Sequence, residues 1–391
     1  MMSLRRTNTL GEYCSCVCKN LIDFKNFSTS FKNAKTAILM LNMGGPQTLD
    51  KVYDYLLRIM SDRDMIQLPY QSFLAPYIAK RRTPEVKKKY SEIGGGSPIL
   101  KWTELQGALL CKKLDEVCPD SSPHKPYIAF RYTDPLTDEA LEEIERDGVK
   151  RVVIFSQYPQ YSCSTSGSSF NAIYSYFNSK NKIPNHIKWS IIDRWSTNSL
   201  LVATFANMIK NELSQFPEHC RNDVLILFSA HSLPMRVVSR GDSYPSEVGA
   251  TVNLVMKELN YCNPYSLVWQ SKVGPLPWLG PFTDDAIRDY VKQGIKNFLL
   301  VPIAFVNDHV ETLHELDIEY CQDLKKEVGF NMIRRVPAPN DHPLFIDALV
   351  DIVSSHLNGS SRISKKFLSK CPHCINSKCH LSKEWFAQLC S

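Results

Sequence analysis

Short apolar runs, each closed by a polar or glycine-rich loop, recur along this chain. They stand at residues 36–41, 149–155, 224–228 and 298–301. Runs this short, bounded by turn residues, predict buried parallel strands. Between them apolar positions return at helical spacing. Leu49, Val52, Tyr53, Leu56, Leu57 and Met60 follow Thr48 in this way and predict an amphipathic helix.

Part of the pattern occurs twice. Thr137-Asp138-Glu139-Ala140-Leu141 leads through a helical stretch to Gly148 and the apolar run after it. Thr283-Asp284-Asp285-Ala286-Ile287 leads to Gly294 and its own run, with the same Thr-to-Gly spacing. The threonines suit helix caps, the acids suit the positive N-terminal end, and the glycines suit left-handed C-terminal positions. A second echo aligns residues 36–46 with residues 224–234 and sets Met43 opposite His231. The reading is of two similar, Rossmann-like doubly wound α/β domains, 35–195 and 215–360, with a cleft between them. Residues 361–391 are a separate extension.

Composition narrows the class. The 391 residues are 43% hydrophobic and 22% charged, with 13 cysteines and a net charge of +6. This is a globular composition, and no apolar run approaches the roughly 18–20 residues of a membrane span. The modest charge does not indicate nucleic-acid binding. Cysteines in odd number, mostly inside helix or strand patterns, do not form a secreted disulfide framework. Residues 1–34 carry Arg5, Arg6, Lys19, Lys25 and Lys32 against only Glu12 and Asp23. That basic, hydroxyl-rich head reads as an organelle presequence.

Candidate chemistry gathers at the predicted strand ends. His231 follows the run 224–228, where ligands bind in open α/β sheets, and imidazole exchanges protons or metal ions near neutral pH. Asp308, Glu311, Glu315 and Glu319 line one face of a predicted helix beside His309. Like charges so spaced suit a solvated face or a path for cations and protons. Tyr158, Tyr161, Trp269, Trp278 and Phe305 lie near strand ends, and Trp278 sits in a rigid Gly- and Pro-rich stretch that suits the wall of a flat pocket. Lys80-Arg81-Arg82 and Arg131 supply cations for carboxylates or phosphates. The apolar and aromatic residues 65–78 before Lys80 suit an element resting on an anionic membrane. Gly44-Gly45 and Gly94-Gly95-Gly96 match no nucleotide-binding fingerprint and suit tight turns or close backbone approach. In the tail, Cys371, Cys374 and Cys379 have metal-site spacing. Zinc and a [2Fe–2S] cluster are both open, with Cys390, His373, His380 or Cys163 as fourth ligand.

Together these segments resemble the ferrochelatase family, enzymes that insert ferrous iron into protoporphyrin IX to form heme. The resemblance runs from about Thr36 to the tail. It rests on residues 41–46, 80–84, 94–98, 130–132, 157–165, 229–234, 269–281 and 308–320. It implies that His231 is the active-site histidine, that Glu311 works with it, and that His309 belongs to the same network. Asp308, Glu315 and Glu319 would continue an acidic path. Met43, Arg131 and Tyr132 would face the macrocycle or metal route, Trp278 and Phe305 would border the porphyrin, and Arg82, Tyr90 and Ser97 would hold its propionates.

The tail resembles that of the animal-type members. The resemblance implies a [2Fe–2S] cluster on Cys163, Cys371, Cys374 and Cys379. It further implies a homodimer on the matrix face of the mitochondrial inner membrane, docked peripherally through a lip at about 62–82. His314 departs from the family pattern as an extra titratable group in the acidic helix. A porphyrin carrier without catalysis, a cobalt chelatase, and a hydrolase built on Cys163 and His231 are the competing readings.

Overall fold

The computed structural model describes residues 35–391; the presequence reading of residues 1–34 lies outside them. Two four-stranded parallel sheets form the frame. The first has the order β2 (His124–Phe130), β1 (Thr36–Asn42), β3 (Arg151–Ser156), β4 (Lys188–Ile192). The second repeats it as β6 (Tyr265–Gln270), β5 (Leu225–His231), β7 (Asn297–Pro302), β8 (Met332–Arg335). All pairings are parallel. β1 is buried along its whole length, as expected for a central strand covered by helices on both faces. The duplication read from the sequence is therefore a duplication of sheet topology.

Each sheet changes direction beside its first strand, between β1 and β3 and between β5 and β7. Crevices at such switch points open at the carboxyl ends of the strands. His231 ends β5, and residues 303–310 follow β7 into the same region.

The two units share one core. Met40 and Phe155 of the first sheet join Phe228 and Leu299 of the second in a single apolar cluster. The helices Ile99–Val117, Ser199–Leu213, Tyr244–Glu258 and Pro343–Asn358 contribute Leu110, Phe205, Val252 and Phe345 to it. Ser199–Leu213 follows the first sheet yet packs on Tyr244–Glu258. Pro343–Asn358 follows the second sheet yet packs on Ile99–Val117. These crossings fix the two sheet edges relative to each other.

Two expectations are corrected. The tail is not a separate appendage, because Phe367 and Phe386 are buried in the first unit's outer core. Their rings stand 4.9 and 5.8 Å from that of Phe170. Thr137 and Thr283 are the first helical residues rather than caps. Their hydroxyls bond inward to the Phe130 carbonyl and to Ser229, tying helix to strand. The glycine-rich loops meet each other. A Cβ on Gly96 would lie 2.0 Å from the Gln47 carbonyl oxygen, and one on Gly45 would lie 2.5 Å from Ser97 Oγ. Gly148 and Gly294, in contrast, hold the expected left-handed φ of 62° and 94°.

Candidate active site

The acidic helix is a π-helix, Glu311–Leu324, and not the α-helix its spacing predicts. Such helices are rare at this length and are frequent at functional sites as short insertions. The i→i+5 turn is wider than an α turn, so Glu311, Glu315 and Glu319 stack nearly one above another. The three acids nonetheless have different neighbours.

Glu311 faces His231 and His309. Its carboxylate oxygens lie 3.7 Å from His231 Nε2 and 3.4 Å from His309 Nε2. Burial raises the Glu311 carboxyl, but His231 and then His309 outweigh it and hold it at about 2. Glu311 is thus an anion across the neutral range. His231 Nδ1 lies 2.6 Å from the Ser232 carbonyl oxygen. A carbonyl only accepts, so Nδ1 carries a proton, and Nε2 is the nitrogen turned toward Glu311. The Trp278 ring centre is 6.3 Å from that of His231, and Phe305 is 4.9 Å from His309. Four tyrosines from separate elements, Tyr55, Tyr90, Tyr158 and Tyr244, are raised by burial and further by the charge of Glu311. A nonpolar, aromatic shell therefore surrounds one anion and two imidazoles.

Glu315 sits deeper. It accepts from Ser271 N at 2.7 Å, Ser271 Oγ at 2.5 Å and Tyr320 OH at 2.8 Å. Burial raises its carboxyl, and the charge of Glu311 adds to the rise against these donors. Glu319 turns to Lys89 at 2.8 Å and His314 at 3.2 Å. Asp308 has both oxygens occupied, by Thr312, Arg335 and Asn340, each at 2.8 Å. The sequence-predicted acids therefore separate into one facing two imidazoles, one held by serine and tyrosine donors, and two in ion pairs.

On the opposite wall, the Met43 backbone N–H is held by Asn42 Oδ1 at 2.7 Å and Tyr158 OH at 2.8 Å. Arg131 donates to Asp62 at 2.6 Å and to Ser168 at 3.0 Å, and Tyr132 OH donates to the same Asp62 oxygen at 2.7 Å. Arg131 and Tyr132 thus arrive already partnered. Burial would raise Asp62, but Arg131, Tyr132 and Ser168 together hold it below its ordinary value. Tyr90 is buried beside Tyr55 and presents no open hydroxyl, whereas Arg82 and Ser97 are half-buried. Tyr55, Tyr244, Asp62 and Ser271 were not legible as site residues. Their partners lie from 44 to over 250 positions away, and no local pattern marks them.

A cavity lies between the tail and the loop of Cys163. Cys163, Cys371, Cys374 and Cys379 all line it, with Asp242 and Tyr161. Cys163 N and Ser162 Oγ donate to Asp242 at 2.8 and 3.1 Å. Gly241 has φ +97°, and a Cβ there would lie 2.6 Å from Pro372, so the tail loop needs a glycine at this point. Of the other candidate ligands, Cys390 is packed in apolar core and His373 is exposed. Burial raises the thiols of Cys163 and Cys371, and takes Cys379 up to about 11. Among the described residues no three His, Cys, Asp or Glu side chains are gathered tightly enough for a single ion. The four sulfurs stand around a space instead.

The helix Gln71–Glu92 carries an apolar edge at the rim. Tyr70, Phe73 and Tyr77 are 86%, 75% and 60% exposed. No helix among the described residues is long and apolar enough to cross a membrane.

Comparison with known proteins agrees with the resemblance in the sequence. A family model described as ferrochelatase matches residues 35–357. The chain is 66% identical over 362 residues to the mitochondrial ferrochelatase of Drosophila melanogaster, spanning 93% of this chain and 94% of that protein. It is 58% identical over 355 residues to that of Homo sapiens, spanning 91% and 84%. Among solved structures it is similar to SirB from Bacillus subtilis with Fe3+, at 12% identity and a TM-score of 0.46, over 82% of this chain and 95% of that one. That last likeness is too distant to bear on the site.

Proposed function

The chain belongs to the ferrochelatase family, and from that premise we propose how its own residues carry the family reaction. The reaction is insertion of ferrous iron into protoporphyrin IX, the step that forms heme. Metallation releases two pyrrole protons, so a base must stand near the ring centre. His231 is that base. The observation that carries the assignment is its geometry: Nδ1 is committed to Ser232 O, and Nε2 is turned to Glu311. A proton accepted at Nε2 makes an imidazolium next to an anion already in place. His309 orients Glu311 from the other side, and Glu315 receives protons onward.

Trp278, Phe305 and Met43 border the macrocycle, and Arg82 and Ser97 hold the propionates at the rim. Arg131 and Tyr132, tied to Asp62, and Tyr90, buried beside Tyr55, shape the wall without touching charge on the substrate. Asp308 positions the loop of His309 through Arg335 and Asn340. Glu311→Gln keeps the shape and removes the charge. It should lower turnover with Fe²⁺ by about 10²-fold or more while leaving protoporphyrin affinity within about threefold. Anaerobic absorbance assays and porphyrin fluorescence titration read the two quantities separately. Unchanged turnover would remove Glu311 from the mechanism.

The four cysteines fit a [2Fe–2S] group. They bring four thiols to one cavity, the donor number that such a group takes. Bound there, the group supplies a rigid cross-link between the tail and the loop of Cys163. Loading releases the thiol protons that burial favours. The chain's own contribution is to aim Cys163 through Asp242 and to seat Pro372 against Gly241.

The mitochondrial names of the relatives support a mitochondrial location, and the exposed aromatic edge supports peripheral docking to a membrane; the matrix face of the inner membrane and a homodimer are what the family resemblance adds. Replacing Phe73 and Tyr77 by serine should reduce co-sedimentation with vesicles containing anionic lipid by severalfold, without changing sedimentation velocity. A monomer by sedimentation velocity, or binding unaffected by the two changes, overturns the corresponding part.

A further inference from the structure

His314 is not used by the mechanism above, and its surroundings are built. It lies on the π-helix three residues after Glu311 and is only 6% exposed. Nε2 is 2.6 Å from Glu92 Oε2, across the chain on the last residue of helix Gln71–Glu92. Nδ1 is 3.2 Å from Glu319 Oε1, close in charge terms though outside hydrogen-bond alignment. Glu319 in turn binds Lys89 of that same helix at 2.8 Å, and Lys88 stands 3.8 Å from Glu92. Two helices are thus joined by a short chain of charge: Glu92, His314, Glu319, Lys89.

What the two helices carry gives the contact its meaning. Gln71–Glu92 holds the exposed rim aromatics at its start, Arg82 in its middle and Tyr90 near its end. Tyr90 packs in a small cluster with Val52, Leu56 and Ala79, against which Val310 is packed. The π-helix holds Glu311. The two helices are walls of one cleft. Apart from the small apolar cluster, the polar ties named above are what join them.

We propose that His314 is a positioning residue that latches the rim helix to the π-helix and so sets how readily porphyrin leaves the cleft. The inference rests on the reading that this cleft holds protoporphyrin. Hydrogen bonding to Glu92 is the main tie, because its geometry is good and its partner lies on the rim helix. Glu319 and Lys89 brace it from the other side.

Protoporphyrin dissociation from the full chain, followed by stopped-flow fluorescence, tests this. His314→Phe keeps the ring and removes both nitrogens, and should raise the off-rate about fivefold. KM for porphyrin should rise alike, with kcat within about twofold. His314→Gln sets an amide donor near the Nε2 position and should restore most of the wild-type off-rate. Glu92→Ala attacks the latch from its half-exposed partner, keeps the chain folded if His314→Phe does not, and should match it. The double variant should be no worse than either single one. A lowered Tm with unchanged off-rates in both variants, or effects that simply add, overturns the latch while leaving the cleft assignment standing. A wild-type chain that binds no protoporphyrin overturns the cleft assignment and the latch with it.

Discussion

Replacing His231 by alanine lowers iron insertion by about 10²–10⁴-fold, the range a positioned general base contributes, while protoporphyrin still binds. The expectation follows from three geometric facts. The imidazole ends β5 at the mouth of the second sheet's switch point. Its Nδ1 proton is spoken for by Ser232 O, so the basic nitrogen is Nε2. Glu311, held down to about 2, is already negative where the imidazolium forms. Alanine removes the base and leaves Glu311 without its main charge partner, so burial should then raise its carboxyl. The variant should therefore be slow, and a new acid limb should appear in its residual activity above that of the wild type. Anaerobic formation of heme from Fe²⁺ and protoporphyrin, scanned across pH, reads both. Tight porphyrin binding without metallation in the wild type would point instead to a carrier.

With the proposed cluster bound at the four cysteines, changing Cys374 to serine should remove its visible absorption and lower the melting temperature by roughly 5–10 °C. The reason lies in how the tail is held. Phe367 and Phe386 bury themselves against Phe170, and each contributes about 1.5–3 kcal/mol of transfer free energy. That apolar contact is local. The loop of Cys371 and Cys374 is otherwise attached by polar contacts, among them the His373 N–H to Arg240 O at 3.3 Å and Asn376 Nδ2 to Asp64 at 2.8 Å, and by Pro372 against Gly241. Without the cross-link the loop can leave, and residues 235–242, which run back to His231, lose their outer support. Absorbance, metal content and thermal melting measure the effect independently of turnover. Full stability and full activity without the cluster would falsify the structural role.

The sequence pattern was most legible where burial is symmetrical. β1, β3, β5 and β7 lie inside their sheets and read as unbroken apolar runs. The edge strands were not foreseen. β2 contains His124 and Pro126, and β8 is Met-Ile-Arg-Arg with every residue half-buried. Edge strands need no continuous apolar face, so their sequences carry little signal. The π-helix was equally hidden. Acids four apart fit an α-helix as well, and the hydrogen-bond register that distinguishes the two leaves no mark on side-chain type.

The division at the site has the same cause. Residue types and short-range periods are encoded along the chain, so the sequence by itself determined the doubled α/β plan, the histidine at a strand end, the acidic stripe and the cysteine spacing. Pairing is decided by where distant segments cross. Only the tertiary structure set Glu311 between two imidazoles, tied Asp308 to Arg335, turned Glu319 to Lys89, brought Cys163 to the tail and put His314 on Glu92. Those crossings also fix burial and neighbouring charge. Four carboxylates that look alike in one helical stripe therefore acquire different partners: two imidazoles, serine and tyrosine donors, and cations.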